Sequence, residues 1–162
     1  MNAFKVTFED VKPIWEQELW PNRKSAIEPM SVMTWPFEGD PEEYDMNIME
    51  KYEPTFIIVE VEESERNVTY RKLVGVNSGH RTSDMHYRSR GIWVDPNYRK
   101  RGVAQTLFLM TAHQAKIEGC EMIWSIPRET ALSAYTKFGF ETVGDFIETE
   151  TSDSNIYVKK ML

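Results

Sequence analysis

Cysteine occurs once in this chain of 162 residues, at Cys120, so an internal disulfide framework is excluded. No apolar run reaches the roughly 18 residues of a membrane span, and no membrane partner is expected. The first residues reach acidic Glu9 without an apolar signal core, which points to the cytoplasm and makes the Asn67-Val68-Thr69 sequon a chance match. Three histidines and one cysteine are scattered without metal-ligand spacing, so no metal is expected. A Walker loop is missing, and Gly75-Val76-Asn77-Ser78-Gly79 fails as a nucleophile elbow because Asn77 stands in the serine's place. Positive charge is the minority, with 19 basic against 26 acidic residues and a net charge of −7, so a nucleic-acid partner is not expected. Repeats and low-complexity segments are absent.

What is present fits one globular domain over residues 1–162. Acidic residues gather at 42–65 and 141–153, basic ones at 81–101. Within the basic stretch, Ile92-Trp93-Val94 and a break at Asp95-Pro96 lead into Arg99-Lys100-Arg101-Gly102-Val103-Ala104, which opens a helical pattern. A helix N-terminus presents unpaired N–H groups at the positive end of the peptide dipoles, which suits phosphate. Gly102 and Ala104 lack bulk, so a pyrophosphate can reach the backbone there.

Periodicity predicts an edge strand at 4–7 and a helix from Glu9 to about Trp20 with Pro13 in its first turn. An irregular segment covers 21–41, and a helix from Pro41 runs to about Tyr52. Strands are expected at 55–62, 68–78 (Gly75 marking a bulge or a close approach) and 87–94, as an antiparallel meander. There follow a helix at 102–118, a strand at 122–126, a helix at 129–138, a strand at 140–146, a turn at 152–155 and a last strand at 156–161, which is free to pair across a dimer. The oligomeric expectation is a monomer or homodimer. The fold class is α/β, a mixed, mainly antiparallel sheet of six to seven strands with helices on both faces.

Two motifs make the chain resemble the GCN5-related N-acetyltransferase (GNAT) family over about 55–147. The first is the Arg99–Ala104 loop, similar to the family's Arg/Gln-x-x-Gly-x-Gly/Ala. The second, Ala131-Leu132-Ser133-Ala134-Tyr135-Thr136-Lys137-Phe138-Gly139-Phe140, is similar to its Ala-x-x-x-Tyr-x-x-x-Gly-Phe. The resemblance implies an N-acetyltransferase using acetyl-CoA as co-substrate, without metal, on a small-molecule or peptide amine. It implies that amides at Arg101, Gly102, Val103 and Ala104 hold the pyrophosphate, with the Arg99, Lys100 or Arg101 side chain at the 3′-phosphate. It places the pantetheine arm between strands that part at Ile92–Val94 and 122–126, an oxyanion-stabilising N–H near Trp93–Val94, and Tyr135 as proton donor to the departing thiolate. The variable acceptor side falls at about 8–53, where Trp15, Trp20, Trp35 and Phe37 are either acceptor walls or plain core.

Two departures stand out. Where some members carry a Glu or His base on the central strand, this chain has Arg88 and Arg90, which stay protonated. Sharing one strand face, they are candidates to pin an acceptor carboxylate or phosphate. His80 is a second candidate at the acceptor, as base. Arg128 stands where the family often places a coenzyme-contacting Asn. A non-catalytic acyl-CoA-binding module on the same fold, and a protein using the loop for another phosphate ligand, are the competing readings.

Overall fold

The computed structural model describes residues 1–150 and 152–162, with Asp153 described by its backbone only. Seven strands form one sheet in the order β1-β2-β3-β4-β5-β7-β6. β1 (Asn2–Val6), β2 (Thr55–Glu65), β3 (Val68–Arg81) and β4 (His86–Val94) make the antiparallel half. Arg66 and Asn67, both left-handed, close the two-residue β2–β3 hairpin. β5 (Met122–Ser125) pairs parallel with β4, and β7 (Ser152–Met161) is antiparallel to both β5 and β6 (Glu141–Thr149). This is the expected class of sheet.

The strands alternate between two cores, as a period of two requires. Ile57, Val59 and Val74 pack against Val103 and Leu107 of α3 (Val103–Ile117). Phe56, Ile58 and Val76 face the opposite side and bury Val11 and Trp15. α4 (Leu132–Phe138) joins α3 around Phe108, Tyr135 and Phe140. The turn of α3 nearest β3 comes so close that a Cβ on Gly75 would stand 2.6 Å from Val103 Cγ1. Gly75 therefore serves close approach, and the extra residue of β3 falls beside it, between Leu73 and Gly75.

The N-terminal third departs most from sequence expectation. α1 runs over Phe8–Ile14 and then loosens into a π-helical turn, Trp15–Leu19. Pro13 lies inside α1 rather than in its first turn. Its missing N–H removes one rung of the ladder, and the wider turn closes with Trp20 N–H donating to Trp15 O at 2.7 Å. α2 covers only Met46–Lys51, because Asp45, not Pro41, caps it by accepting from Asn47 N–H at 3.0 Å. The 129–138 helix opens as a 3₁₀ turn, Glu129–Ala131. β7 begins at Ser152, where a turn was expected, and both its edges are taken by β5 and β6. It is therefore not free to pair across a dimer.

The central strand carries one irregularity. Between the pairs Ser78↔Arg90 and Val76↔Trp93, β4 spends one residue more than β3, with Gly91 at φ +77°. This is a bulge of the glycine type. Trp15 lies over it, and a Cβ on Gly91 would stand 2.5 Å from the indole. We expect Gly91→Ala to lower unfolding stability by about 1–3 kcal/mol, from backbone strain plus displacement of Trp15. An unchanged urea midpoint would contradict this.

Candidate active site

The ladder between β4 and β5 is short. It runs from His86↔Met122 to Arg88↔Trp124 and stops. From Ser89 onward β4 pairs with β3 alone among the described residues. Three successive carbonyls at the point of separation each accept from a side chain of a different element. Ser125 Oγ donates to Ser89 O at 2.7 Å, Ser78 Oγ to Arg90 O at 2.6 Å, and Trp15 Nε1 to Gly91 O at 2.8 Å. A buried carbonyl without a partner is costly, so these bonds stabilise the parted arrangement. Beyond them, the half-buried residues Ile92–Val94 present a backbone edge that no strand covers among the described residues.

At the outer end of this edge lies the N-terminus of α3. Asp95 shapes the approach. Its carboxylate accepts from Asn97 N–H at 2.9 Å, its carbonyl from Tyr98 N–H at 2.8 Å, and its own N–H donates to Val74 O at 2.8 Å. Tyr98 is buried beneath the loop, with the Arg101 guanidinium 5.1 Å over its ring. Lys100 and Gly102 are both left-handed, at φ +62° and +83°. No side chain caps the helix, and the space beside the Gly102 Cα is open. Arg99, Lys100, Arg101 and Gly102 are exposed, Ala104 half-buried and Val103 buried in the core.

At the inner end, the gap between the strands opens into a cavity of about 580 Å³. It reaches both faces of the sheet. Tyr135, Ser125, Ile92 and Ala131 line it from the α3–α4 side; Arg88, Arg90, Trp20 and Met30 line it from the other. Tyr135 is buried with its hydroxyl 3.4 Å from Ser125 Oγ. Burial pushes its pKa up to about 12, against smaller opposite pulls from the Ser125 bond and the Arg88 charge, so the phenol keeps its proton at neutral pH. Arg128 closes the rim, donating to Leu19 O at 2.6 Å.

His80 is brought elsewhere. It is fully buried opposite Arg88, with Nδ1 3.1 Å from Arg81 O and Nε2 accepting from Ser31 N–H at 3.4 Å. Burial, with Arg88 and then Arg90 adding repulsion, drives its pKa down to about 3. The imidazole is a neutral strut and does not line the cavity. Of the aromatic candidates, Trp20 lines the cavity, Trp15 and Trp35 are core, and Phe37 is exposed with its ring edge-on to Tyr157. Among the described residues no cluster of His, Cys, Asp and Glu could hold a metal ion, and no helix is long and apolar enough to cross a membrane.

Gly91 and Ser125 were not singled out from sequence. A glycine inside a strand pattern is a signal for a bulge and was available at Gly91. Ser125 carries no such signal, because its role depends on a carbonyl of β4, 36 residues earlier in the chain.

A sequence model of the acetyltransferase (GNAT) family matches residues 15–140. The chain belongs to that family. An aminoglycoside 6′-N-acetyltransferase complexed with coenzyme A shares the fold with a TM-score of 0.64 at 13% identity, over 99% of this chain and 97% of that one. Ard1 from Thermoplasma volcanium gives 0.64 at 14% identity, over 99% and 97%. An IAA acetyltransferase from Bacillus cereus gives 0.54 at 15% identity, over 67% and 78%. At such identities the likeness is one of fold. No curated protein sequence matches the chain. As a GNAT protein it is an N-acetyltransferase, of a family that uses acetyl-CoA.

Arg23, Glu28, Met30, Ser31, Val32 and Met33 help line the cavity of this GNAT protein, and a carboxylate–imidazole contact fastens the segment that carries them. Asp40 Oδ1 meets His86 Nδ1 at 2.6 Å, and Asp40 Oδ2 accepts from Trp35 N–H at 2.7 Å. Burial alone would raise the Asp40 pKa. The bonds from His86, Trp35, Ser83 and Thr82 together outweigh it and hold the carboxyl below its ordinary value. A depressed carboxylate adds stability above the unfolded-state pKa of about 3.9, and this is lost as pH falls through the lower folded value. We therefore expect Asp40→Asn to cost about 2 kcal/mol at pH 7. Urea unfolding should show the gap to wild type narrowing below about pH 4; a gap that widens there would contradict the assignment.

Proposed function

We propose that this GNAT protein transfers acetyl from acetyl-CoA to the amine of a small molecule or peptide by direct attack, with Tyr135 as the proton donor. The observation that carries the reading is the parting of β4 from β5 between an uncapped helix terminus and a cavity lined by a protonated phenol. In this reading the amides of Arg101 to Ala104 hold the pyrophosphate, and Arg99, Lys100 or Arg101 meets the 3′-phosphate. The free edge at Ile92, Trp93 and Val94 pairs with the pantetheine amides, as an added strand would. Support comes from the chain itself: Gly102 leaves open space, no side chain competes for the terminus, and the carbonyls nearest the bulge already have partners.

Bound acetyl-CoA supplies an activated acyl carbon. A backbone N–H at Trp93–Val94 faces the charge that develops on the acyl oxygen. The Tyr135 hydroxyl gives its proton to sulfur as the C–S bond breaks and the N–C bond forms. The attacking nitrogen loses one proton, which passes through water to restore the Tyr135 phenol, so the balance is amine plus thioester to amide plus thiol. Ser125 Oγ, 3.4 Å from the phenol oxygen, steadies its position. The carboxylates lining the cavity, Glu28, Glu148 and Glu150, are exposed, and His80 stays neutral and buried. The acceptor therefore arrives as the neutral amine or gives its proton to water.

That lack of a deep base is also what favours the second reading, an acyl-CoA-binding module without turnover. Thiol release from acetyl-CoA across a panel of amines separates the two; binding without release for every amine would establish the module. If the transferase reading holds, Tyr135→Phe should lower kcat roughly 100-fold with the KM for acetyl-CoA within about twofold. An unchanged kcat would remove Tyr135 from the chemistry.

A further inference from the structure

Arg88 is a cavity residue with buried, unpartnered donors. Its Nε and Nη1 are shut off from solvent and have no hydrogen-bond partner, although the residue lines the cavity. Its guanidinium makes a 5.2 Å stack on the Trp124 ring. Arg90, two residues on and on the same strand face, is buried and donates only to a backbone carbonyl, Glu28 O, at 2.8 Å. Its guanidinium carbon lies 5.0 Å and 5.2 Å over the rings of Trp15 and Trp20. Arg23 and Arg128 complete the lining and are likewise held by a serine hydroxyl and backbone carbonyls. Among the described residues none of these four guanidinium groups has a carboxylate in ion-pair contact.

Unpaired buried charge is expensive, and a guanidinium with free N–H groups is a fork built for an oxyanion. Burial pushes the pKa of both Arg88 and Arg90 down, and for Arg90 the charges of Arg88 and Arg23 push the same way, with only a smaller opposite pull from Glu28. The coenzyme phosphates do not answer this charge. Arg88 lies six strand residues before Val94, roughly 20 Å from the helix terminus at about 3.3 Å per residue. The acidic residues of the cavity sit at its exposed rim, so the cationic depth is left for a ligand.

We propose that the acceptor is an amine that carries its own anionic group, a carboxylate or a phosphate, seated on Arg88 and Arg90. This rests on the acetyltransferase reading and names its substrate class. The anion occupies the depth of the cavity on the Trp15–Trp20 side. The amine then points through the gap between the strands toward Tyr135. Polyamines and other multiply cationic acceptors are rejected by repulsion.

The test uses the full chain and two measurements. In the first, thiol release from acetyl-CoA is followed with matched amines: amino acids against their C-terminal amides, and aminoalkyl phosphates against the corresponding amino alcohols. The expected result is a kcat/KM at least about 30-fold higher for the anionic member of one pair, and which pair shows it identifies the anion. Equal use of both members, or preference for the uncharged one, overturns the proposal. In the second, N-acetylated amino acids and N-acetylated aminoalkyl phosphates, which carry the anion but cannot react, are titrated calorimetrically into wild type, Arg88→Gln and Arg88→Lys. Binding should weaken at least tenfold in Arg88→Gln and less in Arg88→Lys, while acetyl-CoA affinity, measured alongside, shows that each variant is folded. Equal binding by all three proteins overturns the proposal. Anion binding that depends on Arg88 in a chain releasing no thiol with any amine would instead sink the acetyltransferase reading and leave the anion seat standing.

Discussion

The hydrogen bond from the Trp15 indole to Gly91 O ties the N-terminal helical segment to the bulge of the central strand. Ser125 and Ser78 secure the two carbonyls before it. Ser125, on β5, and Trp15 hold two of these carbonyls where β4 leaves β5, and Ser78, on the still-paired β3, holds the one between them. Without them, the separation would bury bare carbonyls, and either the strands would close or water would fill the seam. The gap is thus a built feature with its own hydrogen-bond account. The glycine is part of that account: only a residue without Cβ admits the indole at van der Waals distance, and glycine takes the left-handed turn without strain.

From that constraint the rest of the site is arranged in order along one strand. β4 delivers its free edge to the helix terminus at Gly102 and its paired end to Arg88. The distribution of charge lies along the same axis. Exposed basic side chains surround the terminus, guanidinium groups without a carboxylate in ion-pair contact stand at the depth of the cavity among the described residues, and exposed carboxylates mark its rim. An acidic protein with net charge −7 thereby keeps two separate cationic loci. The phenol of Tyr135 stands near the gap, held protonated by burial.

The parts legible in the sequence are those coded by neighbours along the chain. The meander reads from alternation at 55–62, 68–78 and 87–94, and the start of α3 reads from Gly102 after a strand and a proline break. The pair Arg88 and Arg90 reads as one face of a strand because the period is two. What escaped depends on residues far apart. That β7 slides between β5 and β6 cannot be seen from its own ten residues, since its pattern suits any sheet position. The π-helical turn after Pro13 looks, in sequence, like the second half of one helix, because Ile14, Trp15 and Leu19 keep a nearly helical spacing. His80 looked like a group that titrates near neutrality; its neutrality comes from being enclosed between strands beside two guanidinium groups, which only the packing shows. The helix expected from Pro41 begins instead at Met46, where the capping carboxylate of Asp45 overrides the proline.

The central claim is that the amides of Arg101 to Ala104 and the open edge at Ile92–Val94 form one binding track for acetyl-CoA. The most direct measurement is a ¹H–¹⁵N correlation spectrum of the labelled chain titrated with acetyl-CoA. The amides of Arg101, Gly102, Val103, Ala104 and of residues 92–94 are predicted to shift together, saturably and with one dissociation constant. A titration in which these amides stay still, or in which the shifts fall on other parts of the sheet, would contradict it.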